Sequence, residues 1–213
     1  PVQRDLSLSE EEQKWVNDHP VLRVGARRDW APVEWFDRKG TAKGISIDHL
    51  RDIGSILDIE IEFVTYENAS AVREGLDTTD IDMIASIGRS NESLHNIVYS
   101  EPYIDFPITI FAGRNVGYLQ SLTSLGGRTV AVVHGSVPER LLRSRWPEIE
   151  IHVVTDVADG IRAVRNGSVF AYLGGLLPTT YYLQETGDTS IRVVGETGNA
   201  YSIGVGIREN EVI

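Results

Sequence analysis

The chain contains no cysteine, which excludes disulfides and thiolate metal sites. That absence says little about compartment, because many bacterial envelope proteins lack cysteine as well. Long apolar runs are missing too, and none approaches the roughly 20 residues that a membrane-crossing helix needs. Basic residues are in deficit, with 20 Lys and Arg against 31 Asp and Glu in 213 residues, a formal net charge of −11. The densest basic cluster, Arg140 to Arg145, is broken up by leucines, so no basic stripe exists for a phosphate backbone. Nucleic acid is therefore excluded as a partner. The P-loop, Gly-x-Ser-x-Gly, His-Glu-x-x-His and EF-hand patterns are all absent. Five histidines (His19, His49, His95, His134, His152) stand far apart without ligand spacing, so no metal or cofactor is expected. His134 and Ser136 lie two apart, but nothing supplies the third member of a nucleophilic triad.

What remains is an ordinary globular composition with a regular α/β rhythm. "SLSEEEQKWVNDHP" predicts a helix opened by a Ser9/Glu12 capping box, with acids in its first turn, and ended by Pro20. "VLRVGA", "IEIEFVTY" and "IDMIASI" read as strands, separated by the helices "ISIDHLRDIGSILD" and "NASAVREGL". The rhythm then repeats. "RTVAVV", "IEIHVVT" and "SVFAYLG" are strands, followed in turn by the helices "SVPERLLRSRW", "DVADGIRAVRNG" and "LLPTTYYLQETG". Two βαβαβ halves of this kind each make a mostly parallel sheet covered by helices.

Between the halves, "PYIDFPITIFAGRN" is too apolar for a solvated linker, and Pro102 and Pro107 suit an edge or crossover strand. Near the end, "AYSIGVGIREN" is strand-like with no helix of its own. The chain is thus expected to cross into a second lobe and return. Residues 1–19 form a leader helix, 20–106 with 195–213 a discontinuous first lobe, and 107–194 the second. Ligands of open α/β sheets sit beyond the carboxyl ends of the strands, here a cleft between hinged lobes.

The strand-to-helix junctions carry the candidate site. "SIGRSNES" ends an apolar strand in small and polar residues, and Arg89 and Ser90 there can offer charge, hydroxyl and backbone N–H groups to an anion. "HGSVPE" is the best-formed anion junction. Gly135 allows close backbone approach beside His134, Ser136 can cap, and Pro138 suits the first helical turn. In "DWAPVEWF", Trp30 is placed against a ligand and Trp35 in packing, with Glu34 and Tyr66 as further polar contacts.

Several stretches in order resemble family 3 bacterial extracellular solute-binding proteins, the Venus-flytrap domains. They are "HPVLRVGARRDWAPVEWFDRKGTAKGISIDHLRDI", "SEPYIDFPITIFA", "SLGGRTVAVVHGSVPERLL" and "AVRNGSVFAYLGG". The resemblance implies a two-lobed periplasmic-binding-protein-like fold (type II), with two mostly parallel sheets, helices on both faces and a hinge. The leader "LSLSEEEQKWVNDHPVLRVG" is similar to that of flytrap domains fused to membrane sensors, such as BvgS-like hybrid histidine kinases and related cyclic-di-GMP enzymes.

By the same resemblance, Trp30 takes the ligand-stacking position and Ser136 the anion contact of the second lobe. The Arg that clamps an amino acid's carboxylate falls at or beside Ser93, its helper Thr at Gly88, and the acid that receives the ammonium at Gly175, so none of the three is present. An α-amino acid would leave its charges buried and unpaired at a cost of several kcal/mol each, so it is not expected as ligand. The expected partner is another small molecule, such as an organic carboxylate on Arg89, Arg27 or Arg28, or no small molecule at all. The expected function is a non-enzymatic periplasmic sensor domain of a membrane-anchored receptor, with room for a homodimer. The alternatives are a free binding protein of an uptake transporter, a lytic transglycosylase regulatory module, or a dehydratase using Glu34.

Overall fold

The computed structural model describes residues 7–88 and 96–209. Helix α1 (Glu10–Asp18) begins with the expected reciprocal cap: Glu12 N donates to Ser9 Oγ at 3.2 Å, and Ser9 N to Glu12 Oε2 at 2.7 Å. It ends at His19, whose ring stacks on Trp15 just before Pro20. Strand β1 (Val21–Arg27) follows, then three short strands, β2 (Asp29–Trp30), β3 (Glu34–Phe36) and β4 (Ala42–Lys43). Helix α2 (Ile45–Leu57), β5 (Glu60–Tyr66), α3 (Ala69–Asp77) and β6 (Met83–Gly88) continue the chain. After β7 (Ile97–Tyr99) and β8 (Ile104–Gly113) come a 3-10 turn at Leu122–Leu125 and β9 (Thr129–Val133). The remainder is α4 (Val137–Arg145), β10 (Glu150–Val154), α5 (Val157–Arg165), β11 (Ala171–Gly175), α6 (Leu176–Thr186) and β12 (Ile191–Arg208).

The chain divides into two compact units. One takes the residues up to Ile87, a segment ending at Glu101, and everything from Gly204; the other takes Pro102–Ile203 with Gly88. In the first unit β1 is central. It pairs in parallel with β5 along its whole length, from Val21↔Glu60 to Arg27↔Tyr66, and with β6 at Val24↔Met83. Buried residues of β1 (Leu22, Val24, Ala26) and α2 (Ile47, Leu50) form a core with Ile59 and Ala85, and Trp15 and Val16 of α1 pack against it. A second cluster joins Val72 and Leu76 of α3 to Ile81, Ile84 and Ile87. The helices lie against the sheet because their apolar residues recur at helical spacing, and strands such as β6 and β11 are buried along most of their length.

The second unit has strand order β10-β9-β11-β8-β12. The first three strands are parallel, and β8 pairs antiparallel with both β11 and β12. Phe111, Ala131, Ile161, Val164, Tyr172 and Ile191 make its core.

Two features differ from the sequence expectation. The segment "DWAPVEWF" is not a plain loop, because β2, β3 and β4 form a small antiparallel sheet of their own. The extent of β12 differs as well: it is one 18-residue strand that pairs with β8 from Ile191 to Ile203 and with β7 from Gly206 to Arg208. Register shifts at Val193/Gly195 and Glu196/Ala200 let so long a strand bend, and Pro107 pairs just beside the second.

Candidate functional site

The carboxyl ends of β1 and β6, together with the small sheet, assemble one charged cluster in the first unit. Arg27 is the last residue of β1. The β2–β3 turn sets Trp30 directly across from Glu34, with Val33 N donating to Trp30 O at 2.9 Å. The Arg27 guanidinium carbon stands 3.4 Å from the centroid of the Trp30 ring. Arg27 Nε donates to Glu34 Oε1 at 2.7 Å, and Nη2 donates to Ser86 Oγ of β6 at 3.0 Å. The Glu34 side chain is 1% exposed and that of Arg27 17%. A carboxylate buried this deeply needs a matched charge, and losing the partner of such a pair costs about 3–5 kcal/mol. Glu34 Oε2 is buried and has no hydrogen-bond partner among the described residues.

The other expected contacts of this unit are committed locally. Arg28 pairs with Glu67 at 2.9 Å, both side chains being well exposed, an arrangement worth little to stability. Tyr66 packs with Val72 and Leu76, and its ring lies where side chains at Gly25 or Gly75 would stand. Its hydroxyl is pushed above the ordinary tyrosine range by burial and then by the nearby Asp80 charge, opposed by Arg23. Asn68 caps α3, accepting from Ser70 N and Ala71 N. Trp30, expected at a ligand, is buried at 9% exposure with Arg27 on its face, whereas Trp35 is only partly buried. Arg89, Ser90 and Ser93 lie outside the described residues.

In the second unit the junction "HGSVPE" already holds an anion, its own Glu139. Gly135, at φ 68°, turns the chain so that its N–H donates to Glu139 Oε2 at 2.6 Å, while Glu139 N donates to Ser136 Oγ at 3.3 Å. Arg143 donates to the other carboxylate oxygen at 3.0 Å, and Arg140 Nη1 donates to Gly135 O at 2.8 Å. His134 is exposed, 3.8 Å from Glu139 Oε2. The Ser-x-x-Glu spacing at Ser136 and Glu139 is a capping-box signature, the one sequence signal that could have revealed this self-occupation.

Gly175 closes β11 and opens α6 without a side-chain cap. A Cβ there would lie 2.5 Å from Phe106 Cε2, because the Phe106 ring, stacked on Tyr201 at 5.1 Å, fills the space. Phe106 is remote in sequence and no local pattern announces it. Among the described residues, no group of three or more His, Asp and Glu could hold a metal ion.

Comparison with known proteins identifies the class. Residues 22–187 match the bacterial extracellular solute-binding proteins, family 3, and the chain belongs to that family. Within it, the chain is 24% identical over 177 residues to the virulence sensor protein BvgS of Bordetella pertussis, which covers 83% of this chain and 14% of BvgS. It is 22% identical over 182 residues to the sensor protein EvgS of Escherichia coli K12, covering 85% and 15%. The chain thus spans about a seventh of the sensor proteins it matches. It is also 24% identical over 173 residues to YxeM of Bacillus subtilis, a probable amino-acid-binding protein, covering 80% and 65%.

Among solved structures, the periplasmic VFT2 domain of Bordetella pertussis BvgS superposes with a TM-score of 0.86 at 21% identity, covering 96% of this chain and 88% of that one. A histidine kinase sensor domain similar to periplasmic binding proteins gives 0.85 at 23%, covering 92% and 85%. The arginine-bound form of truncated ArgBP from T. maritima gives 0.80 at 20%, covering 93% and 92%. The fold is the periplasmic-binding-protein-like Venus flytrap.

Proposed function

We propose that this chain is the periplasmic ligand-sensing domain of a membrane-anchored bacterial receptor, a sensor histidine kinase or a cyclic-di-GMP enzyme, and that the domain itself is not an enzyme. The observation that carries this reading is likeness over more than four-fifths of the chain to proteins of which it spans only 14–15%, both of them sensors. The capped leader helix α1, packed through Trp15 and Val16 on the first unit, supports the same reading. No described helix is long and apolar enough to cross a membrane, so an anchor would lie elsewhere in the parent protein. A ligand changes the output of such a receptor only through its differential affinity for two states of the domain.

The ligand is a small solute other than an α-amino acid. Support comes from Gly175, where Phe106 leaves no room for an acid to receive an ammonium group, and from Glu139, which already neutralises the α4 start. Of the arginines considered for an organic carboxylate, Arg27 is matched by the buried Glu34, whereas Arg28 holds Glu67 only in an exposed pair, so Arg28 and Arg89 remain the candidates. Likeness to PatH of Vibrio harveyi, a putative amino-acid ABC transporter-binding protein 27% identical over 176 residues, favours a second reading, a free binding protein of a transporter.

Two measurements test the proposal. A thermal-shift panel of amino acids, polyamines and carboxylates should give no stabilisation by zwitterionic amino acids, and a clear saturable shift with one of them would overturn the ligand assignment. The complete gene should encode a membrane span and a cytoplasmic output domain. A free, unanchored product would overturn the receptor assignment.

A further inference from the structure

The Arg27 cluster has the make-up of a ligand site, yet its occupant belongs to the chain. All three contacts fall on the guanidinium group: the Trp30 face at 3.4 Å, the Glu34 carboxylate at 2.7 Å and the Ser86 hydroxyl at 3.0 Å. An aromatic face, a carboxylate and a hydroxyl are what a free guanidinium cation requires. The pairing is also incomplete. Arginine and carboxylate commonly meet through two parallel N–H···O bonds. Here Arg27 spends Nε on Oε1 and Nη2 on Ser86, and Glu34 Oε2 is left buried without a partner among the described residues. An untethered guanidinium could turn to reach both oxygens, which a side chain fixed at the end of β1 does not do.

We infer that Trp30, Glu34 and Ser86 form a guanidinium-binding site that Arg27 occupies as a tethered ligand, and that a free alkylguanidinium takes the site once Arg27 is removed. The site lies wholly within the first unit, and the inference does not depend on the receptor reading. A purely structural ion pair would hold its own arginine and would show no saturable affinity for a free cation.

The test is chemical rescue of the full chain. Arg27→Ala should lower the melting temperature by roughly 6–20 °C, since it strands the Glu34 charge. Methylguanidinium at low millimolar concentration should then restore several degrees in a saturable way, whereas equal sodium chloride or methylammonium should not. Wild-type protein should show no such rise, and Arg27→Ala with Glu34→Gln should lose the rescue. If Arg27→Ala does not fold, Arg27→Gln, which keeps most of the side-chain volume, takes its place with methylguanidinium titrated by calorimetry. Saturable binding that depends on Glu34 supports the site. Absence of rescue and binding, or rescue that persists in the Glu34→Gln background, overturns it.

Discussion

The Phe106 ring fills the space that a side chain at residue 175 would need, and a double-mutant cycle tests that packing quantitatively. Gly175 sits at φ −67° and ψ 136°, a conformation open to any residue, so alanine meets no backbone penalty there. Removing glycine from the unfolded chain even favours alanine by about 0.4–1 kcal/mol. Against this stands the collision of the new Cβ with Phe106 at 2.5 Å and 3.2 Å and with Pro178 Cδ at 3.2 Å. Phe106 is 6% exposed and stacked on Tyr201, so its ring has little freedom to yield. Overpacking of this kind costs about 1–3 kcal/mol. Gly175→Ala should therefore destabilise the protein by up to about 2.5 kcal/mol once the unfolded-state gain is set against the clash. Phe106→Ala should cost about 3–5 kcal/mol by leaving a cavity. In the double variant the clash is gone, so the combined loss should fall short of the sum by about 1–3 kcal/mol. Urea unfolding of the four proteins at constant m-value reads the coupling. Additivity within about 0.5 kcal/mol would refute the claim that Phe106 keeps this position bare.

Three further outcomes are expected. Glu139→Ala removes the charged acceptor at Gly135 N and should cost about 1.5–3 kcal/mol in thermal unfolding; an unchanged melting temperature would mean that the carboxylate does not hold the start of α4. Gly75→Ala should destabilise by about 1–3 kcal/mol through the Tyr66 hydroxyl, and Tyr66→Phe should relieve part of that loss if Tyr66 is a packing residue. Asp188 is held below the usual carboxylate range by the Ser190 hydroxyl and N–H, with Arg165 adding to the effect. Its folded pKa is depressed, so its stabilisation is present above the unfolded carboxylate pKa and is lost as pH falls through the folded value. Ser190→Ala should raise that pKa in an NMR titration, and its stability deficit at neutral pH should shrink in acid.

Local structure was legible where neighbouring residues decide it. The Ser9/Glu12 box, the Asn68 cap and the Ser136 cap each depend on an oxygen reaching an N–H two or three residues away, and such contacts are written in the spacing. Strand identity was legible as well, because β6 is a buried apolar run that needs little context. The extent of β12 was not, since its first half is held by pairing with β8, and residues such as Arg192, Glu196 and Asn199 carry no strand pattern of their own. The small sheet β2-β3-β4 was missed for the same reason: strands of two or three residues are defined by their partners.

For the candidate site, the residue types at the strand ends could be named from sequence, but their pairing could not. "RRDWAPVEW" places Arg27, Trp30 and Glu34 within reach of one another without saying that the carboxylate turns inward to bury itself on the arginine. Ser86, 59 residues from Arg27 in the chain, arrives only because β6 lies beside β1. By itself, the sequence determined the α/β order, the helix caps and the family, since these follow from short-range spacing and ordered motifs. Only the tertiary structure decided which charges neutralise one another and which positions are filled. Charge pairing and packing act through space, and they join residues such as Arg27 to Ser86 and Gly175 to Phe106 that the chain keeps far apart.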